Sequence, residues 1–226
     1  MIIKRATLEN CHIETDTVIV IDVLRAFTTS AFAFFQGANE IAPVATVDDA
    51  FRLKARFPHA LIMGEERGHP VEGFDFGNSP SLLLGQDLSG KLLIQRTSAG
   101  TQGVVRSRAR NIVVTGLCNV SATVQLIRRL HPKSITLVQT GVLSGGRGDE
   151  DMACADLIEA LMDGRLINLD EIRERVRDSQ NGRSFTDPEH FAFPSADLEA
   201  SLEIDRFDFA MMVHENDGVL FLKKET

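Results

Sequence analysis

The chain has 226 residues, of which 43% are hydrophobic and 25% charged, and a formal net charge of -8. That is enough apolar material for a sizeable core, and it excludes a disordered composition. The acidic balance argues against holding nucleic acid mainly through phosphate contacts, which requires clustered Lys and Arg.

No run approaches the ~18 apolar residues of a membrane span, and MIIKRATLEN lacks the apolar segment of a signal peptide. The expectation is a cytoplasmic protein with no membrane or nucleic-acid partner, with homo-oligomer formation left open. Cys11, Cys118 and Cys154 are odd in number and widely spaced. They fit reduced thiols better than a disulfide framework or a structural zinc site.

In chain order, short β-rich runs alternate with longer segments of helical period, the pattern of helices packed on a mostly parallel sheet. Strands are predicted over 17–22 (TVIVID), 40–43, 60–63, 91–95, 111–115 and 134–139. Helices are predicted over 26–36, 47–56, 99–108, 120–130 and 150–163. After Gly164 comes a charged amphipathic helix, LINLDEIRERVRDS, then the polar NGRSFTDPEH. FDFAMMVHENDGVLFLKKE reads as two strands around an Asp-Gly turn. The expected fold is a single α/β domain, three-layer α/β/α around a mostly parallel or mixed sheet. Residues 165–226 would form a small lobe or extend the sheet.

VIVIDVLRAFTTSA and LLIQRTSAGTQGV echo one another: a buried strand, an arginine, small hydroxyl residues and a helix. Internal duplication would explain the echo. Turns of this kind put hydroxyls and helix N–H groups at the carboxyl ends of parallel strands, where open α/β sheets place ligands.

Asp22 closes the first apolar run as a metal ligand, a phosphoryl acceptor or a helix cap. Arg25 can grip a phosphate or carboxylate with two parallel bonds, or form an ion pair. Thr28 and Thr29 offer hydroxyls to an anion or to the first turn of a helix. Arg96, Thr97, Ser98 and Thr101 repeat the pattern, with Gly100 allowing close backbone approach.

GVLSGGRGDED is not a P-loop, because Arg147 and Gly148 stand where Lys and a hydroxyl are required. It reads as a loop delivering Asp149, Glu150 and Asp151 to a helix start, where they serve a site or only complement the helix dipole. GEERGHPVEGFDFGNSP, residues 64–80, gathers Glu65, Glu66, Glu72 and Asp75 with Arg67, Asn78 and Ser79. So many carboxylates suit a hard cation such as Mg2+, or a merely solvated loop. His69 is the one histidine in such a loop, and no cysteine has the arginine spacing of a phosphatase nucleophile.

Taken in order, VIDVLRAFTT, GEERG with GFDFGNSP, RTSAGTQG and EDMACA resemble the 2-phosphosulfolactate phosphatase family over residues from about 17 to about 160. The resemblance implies an α/β/α fold and Mg2+-dependent hydrolysis of 2-phospho-3-sulfolactate to sulfolactate and phosphate, on a route to coenzyme M. The matching positions are Asp22, Arg25, Thr28 and Thr29, then Glu65, Arg67, Gly68, Asp75, Gly77, Asn78, Ser79 and Pro80, then Gly100 and Thr101, then Glu150, Asp151 and Cys154. Phe27 stands where a threonine is expected, and RTSAGTQG replaces a TTNGT-type segment.

On this reading Asp22, Arg25, Glu65 and Arg67 are catalytic. Asp22, Glu65, Asp75, Glu150 and Asp151 hold Mg2+. Thr28, Thr29, Asn78, Ser79, Arg96, Thr97, Ser98, Gly100 and Thr101 bind a small anionic phosphorylated substrate. A non-catalytic anion sensor with the same fold is the alternative.

Overall fold

The computed structural model describes residues 1–141, 148–186 and 191–226. The strands are β1 (Ile2–Thr7), β2 (Thr17–Ile21), β3 (Glu40–Val44), β4 (Leu61–Gly64), β5 (Leu92–Arg96), β6 (Asn111–Thr115), β7 (Ser134–Gln139), β8 (Ala210–Asn216) and β9 (Val219–Glu225). The helices are α1 (Ala26–Phe35), α2 (Val47–Arg56), α3 (Pro80–Leu83), α4 (Gly100–Arg106), α5 (Val120–Leu130), α6 (Asp149–Asp163), α7 (Leu169–Asp178), α8 (Gln180–Ser184) and α9 (Ser195–Ser201). The predicted elements are present with their ends moved by a residue or two. The charged helix after Gly164 begins only at Leu169; β1, α3, α8 and α9 were not expected, and most of GVLSGGRG (142–147) lies outside the described residues.

All the strands join one mixed sheet in the order β1-β7-β2-β6-β8-β9-β3-β5-β4. β1, β7, β2 and β6 run parallel to each other, as do β3, β5 and β4. The β8–β9 hairpin, turning at Asp217 and Gly218 with positive φ, stands between these two blocks and pairs antiparallel with β6 and β3.

Strand parity sorts the core, since successive side chains point to opposite faces. Val18 and Val20 of β2 join a cluster that also holds Ile41 of β3 and Leu93 of β5, while Ile19 and Ile21 join Leu126, Ile127 and Leu157 of α5 and α6. On the second block Ala42 and Ile94 face α2. Helices therefore cover both faces of the sheet, as a three-layer α/β/α arrangement requires.

The shared cluster forms around α1, AFTTSAFAFF, which is buried on nearly all sides. A helix apolar all round belongs in a core rather than on a surface. With no Trp or Tyr in the chain, phenylalanine supplies the bulk: Phe32 meets Phe207 edge-on at 5.2 Å and Phe34 meets Phe209 at 6.2 Å. Each fully buried Phe contributes roughly 1.5–3 kcal/mol relative to exposure. No described helix is long and apolar enough to cross a membrane.

Candidate active site

The carboxyl ends of β2, β4, β5 and β7 open on one cleft of about 390 Å³. Asp22, Arg25, Glu65, Arg67, Asn78, Thr97, Ser98, Glu150 and Asp151 line it, so candidates from four separate stretches of sequence converge.

Asp22 forms the floor. Its Oδ1 accepts the Ala26 N–H at 2.9 Å, capping α1, and its Oδ2 accepts the Thr140 hydroxyl at 3.3 Å. Burial pushes its carboxyl up to about 7; the Ala26 N–H opposes this, and the charges of Glu65 and Glu150 add to it. Asp151 is raised too, by burial and by Glu150 and Asp22, although its oxygens accept the Val23 and Gly141 N–H groups at 3.0 and 2.7 Å. Glu150 is likewise raised by burial, and its Oε2 is buried without a hydrogen-bond partner.

Two glycines admit this crowding. A Cβ on Gly100 would stand 2.7 Å from Asp22 Oδ2 and 2.6 Å from the Ala26 Cβ; one on Gly141 would stand 2.8 Å from Glu150 Oε1. The repeated turns after β2 and β5 thus meet at the Asp22–Gly100 contact.

Glu65 ties two loops together. One oxygen accepts the Ser98 N–H; the other accepts the Gly68 N–H at 2.5 Å and the Ser98 hydroxyl at 3.0 Å. Gly68 takes a positive φ of 83°, and the preceding Arg67 reaches 52°. Arg67 is exposed on the cleft, while its N–H bonds the Ser98 hydroxyl. Asn78 lines the cleft with its Oδ1 buried and unpartnered.

Other candidates lie behind these walls. Thr28 donates to the Val23 carbonyl at 2.8 Å, Thr29 is buried inside α1, and Thr101 closes a turn with Thr97. Arg96 bonds the Glu65 carbonyl and pairs with Glu66 at 3.2 Å, and Ser79 donates to Asp197. Thr28 and Thr101 make local hydroxyl-to-backbone bonds, Arg96 an ion pair and Ser79 a bond to a distant carboxylate, none of which residue type alone separates from a ligand contact. Asp75 departs furthest from expectation: its Oδ2 accepts the Ile62 N–H at 2.7 Å, 3.8 Å from Lys54 Nζ, and it is absent from the cleft lining.

Sequence reasoning missed the opposite wall, which comes from the tail. Gln180, Asn181, Ser184, Phe185 and Phe193 complete the cleft. Asn181 donates to Glu150 Oε1 at 2.5 Å, and Phe185 and Phe193 stand 5.2 and 5.1 Å from the Arg25 guanidinium. Asp197, wholly buried, pairs with Arg25 at 2.5 Å.

Among the described residues no three His, Cys, Asp or Glu side chains already form a metal cage. The three cysteines are buried, and burial raises each thiol, Cys118 to about 12, which disfavours the thiolate form a nucleophile needs.

The sequence model of the family described as 2-phosphosulpholactate phosphatase matches residues 2–216. A probable 2-phosphosulfolactate phosphatase of Bacillus subtilis (strain 168) is 36% identical over 206 residues, covering 90% of each chain. One of Thermotoga petrophila is 39% identical over 129 residues, covering 57% of this chain and 55% of its own, and one of Thermoplasma acidophilum is 30% identical over 160 residues, covering 71% of each. With the family match running through the sheet, the carboxylate floor and the tail wall alike, the chain belongs to the 2-phosphosulfolactate phosphatase family of phosphoric monoester hydrolases.

Proposed function

We propose that the protein is a Mg2+-dependent phosphatase that hydrolyses 2-phospho-3-sulfolactate, or a closely related phosphorylated 2-hydroxy acid, to the free hydroxy acid and phosphate. The observation that carries this reading is the crowding of Asp22, Glu150 and Asp151 at the floor of a cleft whose rim holds the exposed Arg67. Arg25 is already balanced by Asp197, so carboxyls outnumber uncommitted cations. A multiply charged anion would be repelled unless protons or a cation offset them.

The donor set fits Mg2+, which takes hard oxygen ligands, keeps several waters and is held through one or two carboxylates plus substrate phosphate. Asp22 and Glu150 would supply those carboxylates, and the unpartnered Glu150 Oε2 is the atom that most needs a ligand. Bound there, the ion would polarise the phosphoryl group and acidify a water.

The chain's own groups have distinct tasks. Arg67 and Arg25 orient the phosphate oxygens by charge-assisted hydrogen bonds. Asp22, fixed by the Ala26 N–H and the Thr140 hydroxyl, presents its carboxylate at the cleft floor, where it would hold the ion or accept the phosphoryl group. Glu65 keeps Gly68 and Ser98 in register, so the two loops present one surface.

The test is phosphate release from racemic 2-phospho-3-sulfolactate and phospholactate by metal-stripped protein, with and without Mg2+. Release that depends on Mg2+ is expected. If folded protein releases none but is stabilised by the same anions, an anion-binding role replaces catalysis. Trapping an aspartyl phosphate on Asp22 under turnover would make that residue the phosphoryl acceptor; its absence assigns the attack to water.

A further inference from the structure

We propose that Asp197, a residue of the tail, positions Arg25 for the anion in the cleft, and the inference rests on the phosphatase reading above. Arg25 is 6% exposed and Asp197 not at all, so this is no surface ion pair. Removing two charges from water is costly, and a buried pair at best roughly offsets that cost, so stability alone explains its presence poorly.

The geometry suits an orienting role. Asp197 Oδ2 accepts a hydrogen bond from Arg25 Nη1 at 2.5 Å. Its Oδ1 accepts the Ser79 hydroxyl at 2.8 Å, the Ser81 N–H at 3.0 Å and the Ser81 hydroxyl at 2.5 Å. Three donors on the far oxygen stop the carboxylate from swinging. Phe185 and Phe193 stand by the guanidinium at 5.2 and 5.1 Å, restricting its tilt.

A guanidinium has five N–H donors in a rigid fork. With one end fastened to Asp197, the donors left over belong to a side chain that lines the cleft. Arg25 therefore meets an anion with little rotamer freedom left to lose, the usual gain from preorganisation. Asp197 is not itself among the residues that line the cleft and acts through Arg25, so it is a positioning residue and not a catalytic one.

The test compares wild type, Arg25→Gln, Asp197→Asn and the double variant, in Mg2+, by kcat/KM for phosphate release and by calorimetric affinity for inorganic phosphate. Asp197→Asn is expected to lower both about 10- to 100-fold. In the Arg25→Gln background the same change should cost nothing further, which a merely structural role would not produce. Near-normal Asp197→Asn, or losses that multiply in the double variant, would overturn the proposal.

Should Asp197→Asn fail to fold, Ser79→Ala with Ser81→Ala removes two of the three donors on Oδ1 and leaves the ion pair in place. It should weaken phosphate binding several-fold, and unchanged binding would overturn the proposal equally. Wild-type protein that releases no phosphate sinks the phosphatase reading, while the phosphate affinities still decide the role of Asp197. Full activity in Arg25→Gln removes Arg25 from the site, and with it this inference.

Discussion

The floor of the cleft and its β4–β5 wall both carry carboxyl groups, yet their surroundings set them to different work. At the floor, Asp22, Glu150 and Asp151 are buried together and burial raises all three, with the charges of Glu65 and Glu150 adding to it at Asp22, those of Glu150 and Asp22 at Asp151, and that of Asp149 at Glu150. At the wall, Glu65 meets two N–H groups and a hydroxyl and serves as a joint between loops. The floor stores an electrostatic imbalance that a ligand can relieve; the wall stores geometry.

Removing the floor charge should have the largest effect. Asp22→Asn is expected to lower turnover by about 10³-fold or more, near the upper part of what a positioned proton-transfer group or metal ligand contributes. Its effect on stability runs the other way. Asp22 sits at about 7 in the folded protein against an ordinary 3.8. The folded state thus favours the protonated group, and that stabilisation is complete below pH 3.8 and lost as pH rises through 7. The loss is on the order of a few kcal/mol. Metal-free wild type should therefore melt lower at pH 8 than at pH 6, and Asp22→Asn should melt above wild type at pH 8. Calorimetry at the two pH values checks both.

Gly100→Ala sharpens the comparison from the packing side. The new methyl group would meet Asp22 Oδ2 at 2.7 Å and the Ala26 Cβ at 2.6 Å. A loss of about 1–3 kcal/mol is expected from overpacking, together with a fall in kcat/KM larger than the melting shift would suggest. Glu65→Gln tests the wall: an amide nitrogen would face an N–H donor, with a cost of about 1–3 kcal/mol and a milder fall in activity than at Asp22. Equal losses at Asp22 and Glu65 would erase the distinction between floor and wall. Asp75→Asn should be the smallest change, with activity within about twofold and stability within about 0.5–1 kcal/mol; a large loss of Mg2+ affinity there would return Asp75 to the site.

How far the sequence reveals this arrangement follows from how local each signal is. TVIVID and NIVVT announce buried strands through unbroken apolar runs, whereas IIKRAT of β1 is an edge strand with an exposed, mixed pattern and carries no such mark. The strand-end turns at Asp22 and Ser98 identify the cleft because helix-starting turns at strand ends are locally encoded. Which carboxylates of residues 64–80 face it is not: Glu65 and Asp75 look alike in sequence, and only the course of the loop turns one to Ser98 and the other to Ile62. Asp197 lies 172 positions from Arg25 and sits in a polar stretch like many others, so nothing local singles it out.

The placement of the β8–β9 hairpin has a consequence for how the chain comes to be folded. Each parallel block can assemble from residues before 140, but the strands that join the blocks are Ala210–Asn216 and Val219–Glu225. During synthesis the flanks of β6 and β3 therefore wait, unpaired, for about 95 and about 175 further residues, and such waiting edges invite pairing with other chains. The sheet closes late, through contacts distant in sequence, so folding should be slow for a protein of this size. Loss of the hairpin would part the sheet in its middle instead of trimming its edge.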